Sequence, residues 1–176
     1  MRRPHSNPAA AFFLSIFLLL SFSLFSCQKT HKPLMKDTPA PDFSVLDASG
    51  AKTTLSGLKG NVVLVNFWAT WCGSCQEEMP SLNALYNKIK GYPNFRMVSI
   101  AFKDSPDAAR QYLKQHSYGF SVYGDPDGQA AADYGLTGVP ETYIVDKNGI
   151  LRLKVIGGIN WNDPQVLTFM QGLLKQ

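Results

Sequence analysis

The run Trp71-Cys72-Gly73-Ser74-Cys75 places two thiols two residues apart. Such a pair can open and close a disulfide within a single helical turn, and so exchange disulfides with other molecules. The nucleophile in that chemistry is a thiolate, and it needs a place where negative charge is favoured. A helix N-terminus is such a place, because its free backbone N–H groups and the helix dipole stabilise an anion. There a cysteine pKa falls from about 8.5 to roughly 3.5–7.5. Cys72 is the expected nucleophile. Cys75, one turn further on, would resolve the mixed disulfide. The alternative is a structural disulfide or an inert thiol pair, but so short a loop stabilises a fold little.

Nearby residues extend the chemistry. Cys75, Glu78, Met79 and Leu82 fall at i, i+3, i+4 and i+7, so Glu78 shares the inward stripe of a helix. A half-buried carboxylate there has a raised pKa and can pass a proton to or from the resolving thiol. The bland alternative is a first-turn acid that only favours the dipole. Trp71 either shields the thiols and meets a partner, or is a core aromatic. Asn66 reads as a hydrogen-bonding core residue, and Trp161 carries no evident role.

Positioning this pair requires a strand before it and a helix after it. Val62 to Trp68 is short, apolar and rich in β-branched and aromatic residues, as a buried strand should be. Gln76 to Lys90 has helical periodicity, with Pro80 expected to kink it. Phe43 to Asp47 and Lys52 to Leu55 flank a turn and predict an N-terminal hairpin. Phe95 to Phe102 is a further strand, and Ser105-Pro106-Asp107 opens a helix. Phe120 to Tyr123 reads as a strand and Gln129 to Tyr134 as a short helix. Glu141 to Asp146 and Leu151 to Ile156 are strands joined at Lys147-Asn148-Gly149. Asp163-Pro164 caps a last helix. Gly157-Gly158 reads as a bulge, with a close backbone approach as the alternative. The alternation predicts an α/β fold, a central sheet with helices on both faces. Its site should lie at the carboxyl end of a strand.

Before this domain, Met1 to Ser26 has a basic start followed by an apolar stretch from Ala9 to Phe25, the composition of an export signal. Leu24-Phe25-Ser26-Cys27 resembles the bacterial lipoprotein cleavage box, which makes Cys27 the expected lipid anchor. An uncleaved membrane anchor or simple secretion are the alternatives. Residues 27–40 are polar, contain Pro33 and Pro39, and read as a flexible tether. The folded domain is then 41–176, outside the cytoplasm, where disulfides persist.

The totals exclude other functions. There are 17 Lys and Arg against 13 Asp and Glu. Two of the basic residues lie in the leader and the rest form no cluster, so nucleic-acid binding is not expected. Three cysteines and the scattered His5, His31 and His116 offer no evident four-ligand zinc site.

The stretch Asn66-Phe67-Trp68-Ala69-Thr70-Trp71-Cys72-Gly73-Ser74-Cys75, then Glu78 and Pro80, then Gly138-Val139-Pro140-Glu141-Thr142, resembles the exported thioredoxin-like proteins of the TlpA/ResA group. The Gly-Val-Pro-Glu-Thr run is most similar to the cytochrome c maturation branch, CcmG or DsbE. The resemblance implies a thioredoxin fold with a central mixed sheet, and reduction of disulfides on the periplasmic side of a bacterial membrane. It implies a cis bond at Val139–Pro140, with the Val139 backbone offered to an incoming peptide. A proline facing the cysteines would bring Glu141 beside them, to tune their pKa or meet a partner. No small-molecule cofactor is implied. The implied partners are disulfide-bearing exported proteins such as apocytochrome c, and a membrane thiol reductase as electron donor. The chain is expected to be a monomer. Ser74 stands where the family usually carries proline, so the direction of electron flow stays open. A thiol oxidant and a non-catalytic tethered peptide-binding module remain alternatives, and a peroxidase is less favoured.

Overall fold

A computed structural model describes residues 34–176. The predicted leader, Cys27 and the first part of the predicted tether lie outside the described residues. Within them, the strands are β1 (Ser44–Leu46), β2 (Lys52–Thr54), β3 (Val62–Trp68), β4 (Phe95–Ala101), β5 (Val122–Gly124), β6 (Glu141–Val145) and β7 (Leu151–Ile156). The helices are α1 (Gly73–Ile89), α2 (Pro106–Gln115), α3 (Gln129–Asp133) and α4 (Pro164–Lys175). The strands form one mixed sheet in the order β2-β1-β5-β4-β3-β6-β7. β3, β4 and β5 run parallel, while the pairs β1–β2, β1–β5, β3–β6 and β6–β7 are antiparallel.

Every residue of β3 is buried. A central strand covered on both faces needs an unbroken apolar run, and the two-residue side-chain period then divides it. Val62, Leu64 and Trp68 face α1, α2 and α4, through Met79, Leu82 and Leu85, Leu113, and Met170 and Leu174. Val63, Val65 and Phe67 face the other way, toward Ala130, Ala131, Tyr134, Phe43 and Val45. The expected helices on both faces are therefore present, with α3 the α-helix on the second face among the described residues.

Two expectations change, the start of α1 and the role of Gly157-Gly158. α1 starts at Gly73, before Gln76, because Cys72 is its N-cap and the motif itself makes the first turn. The helix runs on through Pro80. Gly157-Gly158 is not the bulge; the irregularity in this hairpin falls at Ile144/Val145. Gly157 takes a left-handed φ of 84° and its N–H donates to the Pro140 carbonyl at 2.9 Å. Gly158 is a close approach: a Cβ there would sit 3.2 Å from the Ser74 carbonyl oxygen and 3.7 Å from Glu78 Cβ.

The chain also docks before the predicted boundary at residue 41. The Asp37 N–H donates to the Leu151 carbonyl at 2.7 Å, and the Leu151 N–H to Thr38 at 2.9 Å. Pro39 bridges Ile150, and Asp37 pairs with Arg152 at 2.7 Å. The start of β7, a sheet edge, is thus covered by its own chain. Among the described residues, no helix is long and apolar enough to cross a membrane.

Candidate active site

β3 delivers the chain to the carboxyl edge of the sheet, where Ala69 is buried and the backbone turns into α1. Cys72 has extended dihedrals (φ −95°, ψ 108°), as an N-cap requires, and its carbonyl accepts the Gln76 N–H at 3.1 Å. Its Sγ accepts the Cys75 N–H at 3.2 Å. The free N–H of the first turn therefore points at the sulfur that would carry a thiolate. The two cysteines are joined as a disulfide. They are unequal: Cys72 retains 6% exposure, Cys75 none. An incoming disulfide can meet only the first.

The Val139–Pro140 bond is cis, and the Val139 carbonyl oxygen lies 3.5 Å from Cys72 Sγ. The Ser74 hydroxyl lies 3.5 Å away on the helix side. Trp71 is 60% exposed, with its indole N–H donating to the Lys103 carbonyl at 3.2 Å. Trp71, Ile156 and Ile159 are exposed apolar residues. Each belongs to a segment that borders the pair: the motif, the strand end beside Pro140, and the loop against Ser74.

Glu78 lies one turn beyond Cys75 on the inward face of α1 and keeps 3% exposure. Its carboxylate accepts from Trp161 Nε1 at 2.9 Å and from Asn66 Nδ2 at 3.2 Å. Asn66 Nδ2 also donates to Thr142 Oγ1 at 2.9 Å, while Asn66 Oδ1 has no partner among the described residues. Burial pushes the Glu78 carboxyl above the usual carboxylate range; the bonds from Trp161, the Ile159 backbone and Asn66 oppose this but do not cancel it. A cleft of about 380 Å³ opens beside it between Ser74, Ser81, Gly158, Ile159 and Asn160. Glu78 thus lines a cleft on this side of the helix while itself staying buried.

Glu141 follows Pro140 in sequence, but its carboxylate turns to the opposite face of the sheet from α1. Side-chain alternation along β6 explains this: Thr142 reaches Asn66 on the α1 side, so Glu141 and Tyr143 point away. There Glu141 accepts from Tyr143 Oη, from Thr137 N–H at 3.2 Å and from Thr137 Oγ1 at 3.1 Å, with Lys154 Nζ at 3.3 Å. Burial alone would raise its pKa, but these donors outweigh it and hold the carboxyl below the usual range. The structure therefore gathers Cys72, Cys75, Val139, Pro140 and Trp71, sets Glu78 beneath them, and separates Glu141.

Trp161 is the contributor that sequence alone does not reveal. A fully buried indole needs an acceptor, but its partner is 83 residues away. No group of three or more His, Cys, Asp or Glu side chains among the described residues could hold a metal ion.

Fold and site together define a thiol–disulfide oxidoreductase of thioredoxin fold. The chain belongs to the AhpC/TSA family, whose model matches residues 37–154. It is 39% identical over 156 residues to the thiol:disulfide interchange protein DsbE of Allochromatium vinosum, covering 84% of this chain and 83% of that one. It is 33% identical over 139 residues to the thiol-disulfide oxidoreductase ResA of Bacillus thuringiensis, covering 78% and 80%. A crystal structure of a thioredoxin-family thiol:disulfide interchange protein from Chlorobium tepidum superposes with a TM-score of 0.65 at 26% identity, over 80% of this chain and 98% of that one.

Proposed function

We propose that this oxidoreductase reduces disulfides of exported proteins outside the cytoplasm, held to the periplasmic side of a bacterial membrane by its N-terminus through Cys27 or an uncleaved anchor. In the dithiol form, the Cys72 thiolate attacks one sulfur of a partner disulfide, and the partner's other sulfur leaves as a thiolate that takes a proton. Cys75 then loses its proton and attacks Cys72 Sγ. The second partner sulfur leaves, and the internal disulfide closes. Two electrons pass to the partner, which ends as a dithiol. A membrane thiol reductase would return the enzyme to its dithiol form.

The observation that carries this reading is the inequality of the pair: one sulfur reachable at a helix N-cap, the other fully buried. Val139 would pair its backbone with a partner chain beside the cis-proline, and Trp71 would give apolar contact. Glu78 would hold the proton exchanged with Cys75, a role suited by its raised pKa and its cleft. Glu141 would act on the Pro140 turn through Thr137 as a positioning residue, at a distance from the sulfurs. An apocytochrome c with its haem-binding cysteines oxidised is the most specific partner.

A second reading, a thiol oxidant, draws on Ser74. Its hydroxyl can donate to a Cys72 thiolate 3.5 Å away, and a more stable thiolate makes the disulfide more oxidising. Trapping with Cys75→Ser separates the two. Mixed disulfides with apocytochromes and a membrane thiol reductase are expected. Capture of a quinone-linked oxidase, with fast oxidation of reduced peptides in vitro, would overturn the reductant reading.

A further inference from the structure

The turn between β3 and α1 must hold Cys72 still, yet it pairs with no strand. Its central residue, Thr70, lies between the Ala69 and Cys72 ends of the turn, which are linked by the Cys72 N–H to Ala69 carbonyl bond at 3.3 Å. Thr70 itself is fastened from a different element. Asp104, in the loop from β4 to α2, accepts both the Thr70 N–H at 2.6 Å and the Thr70 hydroxyl at 2.8 Å on one carboxylate oxygen. The other oxygen accepts the Ser105 N–H at 2.7 Å. With both oxygens engaged, the carboxylate has no freedom to rotate away.

The neighbouring bonds act in the same direction. Lys103 sits at φ 47°, a left-handed conformation unfavourable for a residue with a side chain. Its carbonyl accepts the Trp71 indole N–H. The Phe102 N–H donates to the Trp68 carbonyl at 2.8 Å, which extends the β3–β4 pairing up to this corner. On the other side, the Gln76 side chain donates to the Thr70 carbonyl and ties the turn to α1.

We propose that Asp104 is a positioning residue for disulfide exchange: it clamps Thr70 so that Cys72 keeps its N-cap geometry and its sulfur stays on the Cys75 N–H. The inference rests on Cys72 being the nucleophile. The bond at stake is the 3.2 Å contact from Cys75 N–H to Cys72 Sγ, which stabilises a thiolate more than a thiol. Loosening Thr70 lets the sulfur drift from that N–H, so the thiol holds its proton more tightly and attacks less.

Asp104 also carries a charge, and the two roles have opposite signs. A nearby carboxylate disfavours a thiolate. Removing only its charge lowers the Cys72 pKa, whereas removing the clamp raises it. Asp104→Ala removes both, Asp104→Asn keeps an oxygen for Thr70 without the charge, and Thr70→Val removes one clamping bond and no charge.

The test titrates Cys72 in the reduced protein by thiolate absorbance and measures its rate of attack on a small aromatic disulfide at pH 7. In Asp104→Ala, the Cys72 pKa is expected to rise by roughly half to one unit, with attack about three- to tenfold slower. Thr70→Val should shift both the same way by less, and Asp104→Asn should restore the attack rate. Unchanged or lower Cys72 pKa in both Asp104→Ala and Thr70→Val would overturn the clamp. Should Asp104→Ala not fold, Thr70→Val decides alone. If Cys72→Ser attacks as fast as the wild type, the nucleophile assignment is wrong and the clamp falls with it. A wild-type rate lost in Cys72→Ser but kept in the Asp104 and Thr70 variants defeats the clamp only.

Discussion

Glu78 and Glu141 are both almost wholly buried, and their surroundings drive them in opposite directions. Glu78 meets only neutral donors, two side chains and the Ile159 backbone, so desolvation outweighs them and its carboxyl is raised. Glu141 meets an ammonium, a phenol and a backbone N–H, so the donors win and it is lowered. Between the usual carboxylate value and the raised one, the folded protein holds a proton on Glu78 that the unfolded chain has released. Stability from that protonated form is complete below the usual carboxylate range and is lost as pH rises through the raised value. For Glu141 the sign reverses: its contribution is present above the usual range and is lost as pH falls through the lowered value. Urea unfolding of the oxidised protein across pH 4 to 8, on the order of the range where carboxylates titrate, checks this. The wild type should lose stability as Glu78 ionises, and Glu78→Gln should lack that loss. A parallel decline in both proteins would show that Glu78 is not the group responsible.

The elements at the site meet through backbone as much as through side chains. The loop from β7 to α4 lies against the first turn of α1, and Gly158 is the point of contact. Gly158→Ala would set a methyl group 3.2 Å from the Ser74 carbonyl oxygen, a backbone atom held in the first turn of α1, and against the Glu78 side chain. A loss of about 1–3 kcal/mol is expected by urea unfolding, as for other overpacked positions. Disulfide exchange should slow too, because the shift falls on the turn that carries Cys75. Gly73→Ala, which has open space around its Cβ, is the matched control and should change stability far less. In sequence the two glycines Gly157 and Gly158 gave only a choice between bulge and close approach. The neighbour that decides it, Ser74, is remote along the chain. The β3 limits could be read directly because a doubly covered strand needs a continuous apolar run. The start of α1 could not, because Gly73, Ser74 and Cys75 are indifferent helix formers and are helical here through capping.

At the scale of the whole molecule, the sheet ends at β7, and residues 37–40 cover the beginning of that edge. An open edge strand is a template for pairing with another chain. Leu34 and Ala40 also pack on the second core face. A chain beginning at residue 41 should lose about 1–3 kcal/mol of stability relative to one beginning at residue 34, from lost apolar contact and backbone bonds. It should also associate at high concentration, as measured by sedimentation. Equal stability of the two chains would mean that the segment contributes only coverage. Proline and polarity make 27–40 read as a flexible tether, and composition does not register the partner edge, Gly149 to Arg152, that holds 37–40.

The sequence determined the reaction class and the frame that presents it. The thiol spacing, the apolar run before it and the periodic run after it are local patterns, and local patterns survive in one dimension. It also pointed to Glu78, because helical register is local. Tertiary structure alone decided which groups surround these residues. Trp161 and Asn66 reach Glu78, Asp104 reaches Thr70, and Glu141 faces away from the sulfurs beside it in sequence. Each of these pairings joins segments brought together only by the packing of the sheet and its helices. Burial and hydrogen bonding, which set proton affinity, are properties of that packing and not of residue type.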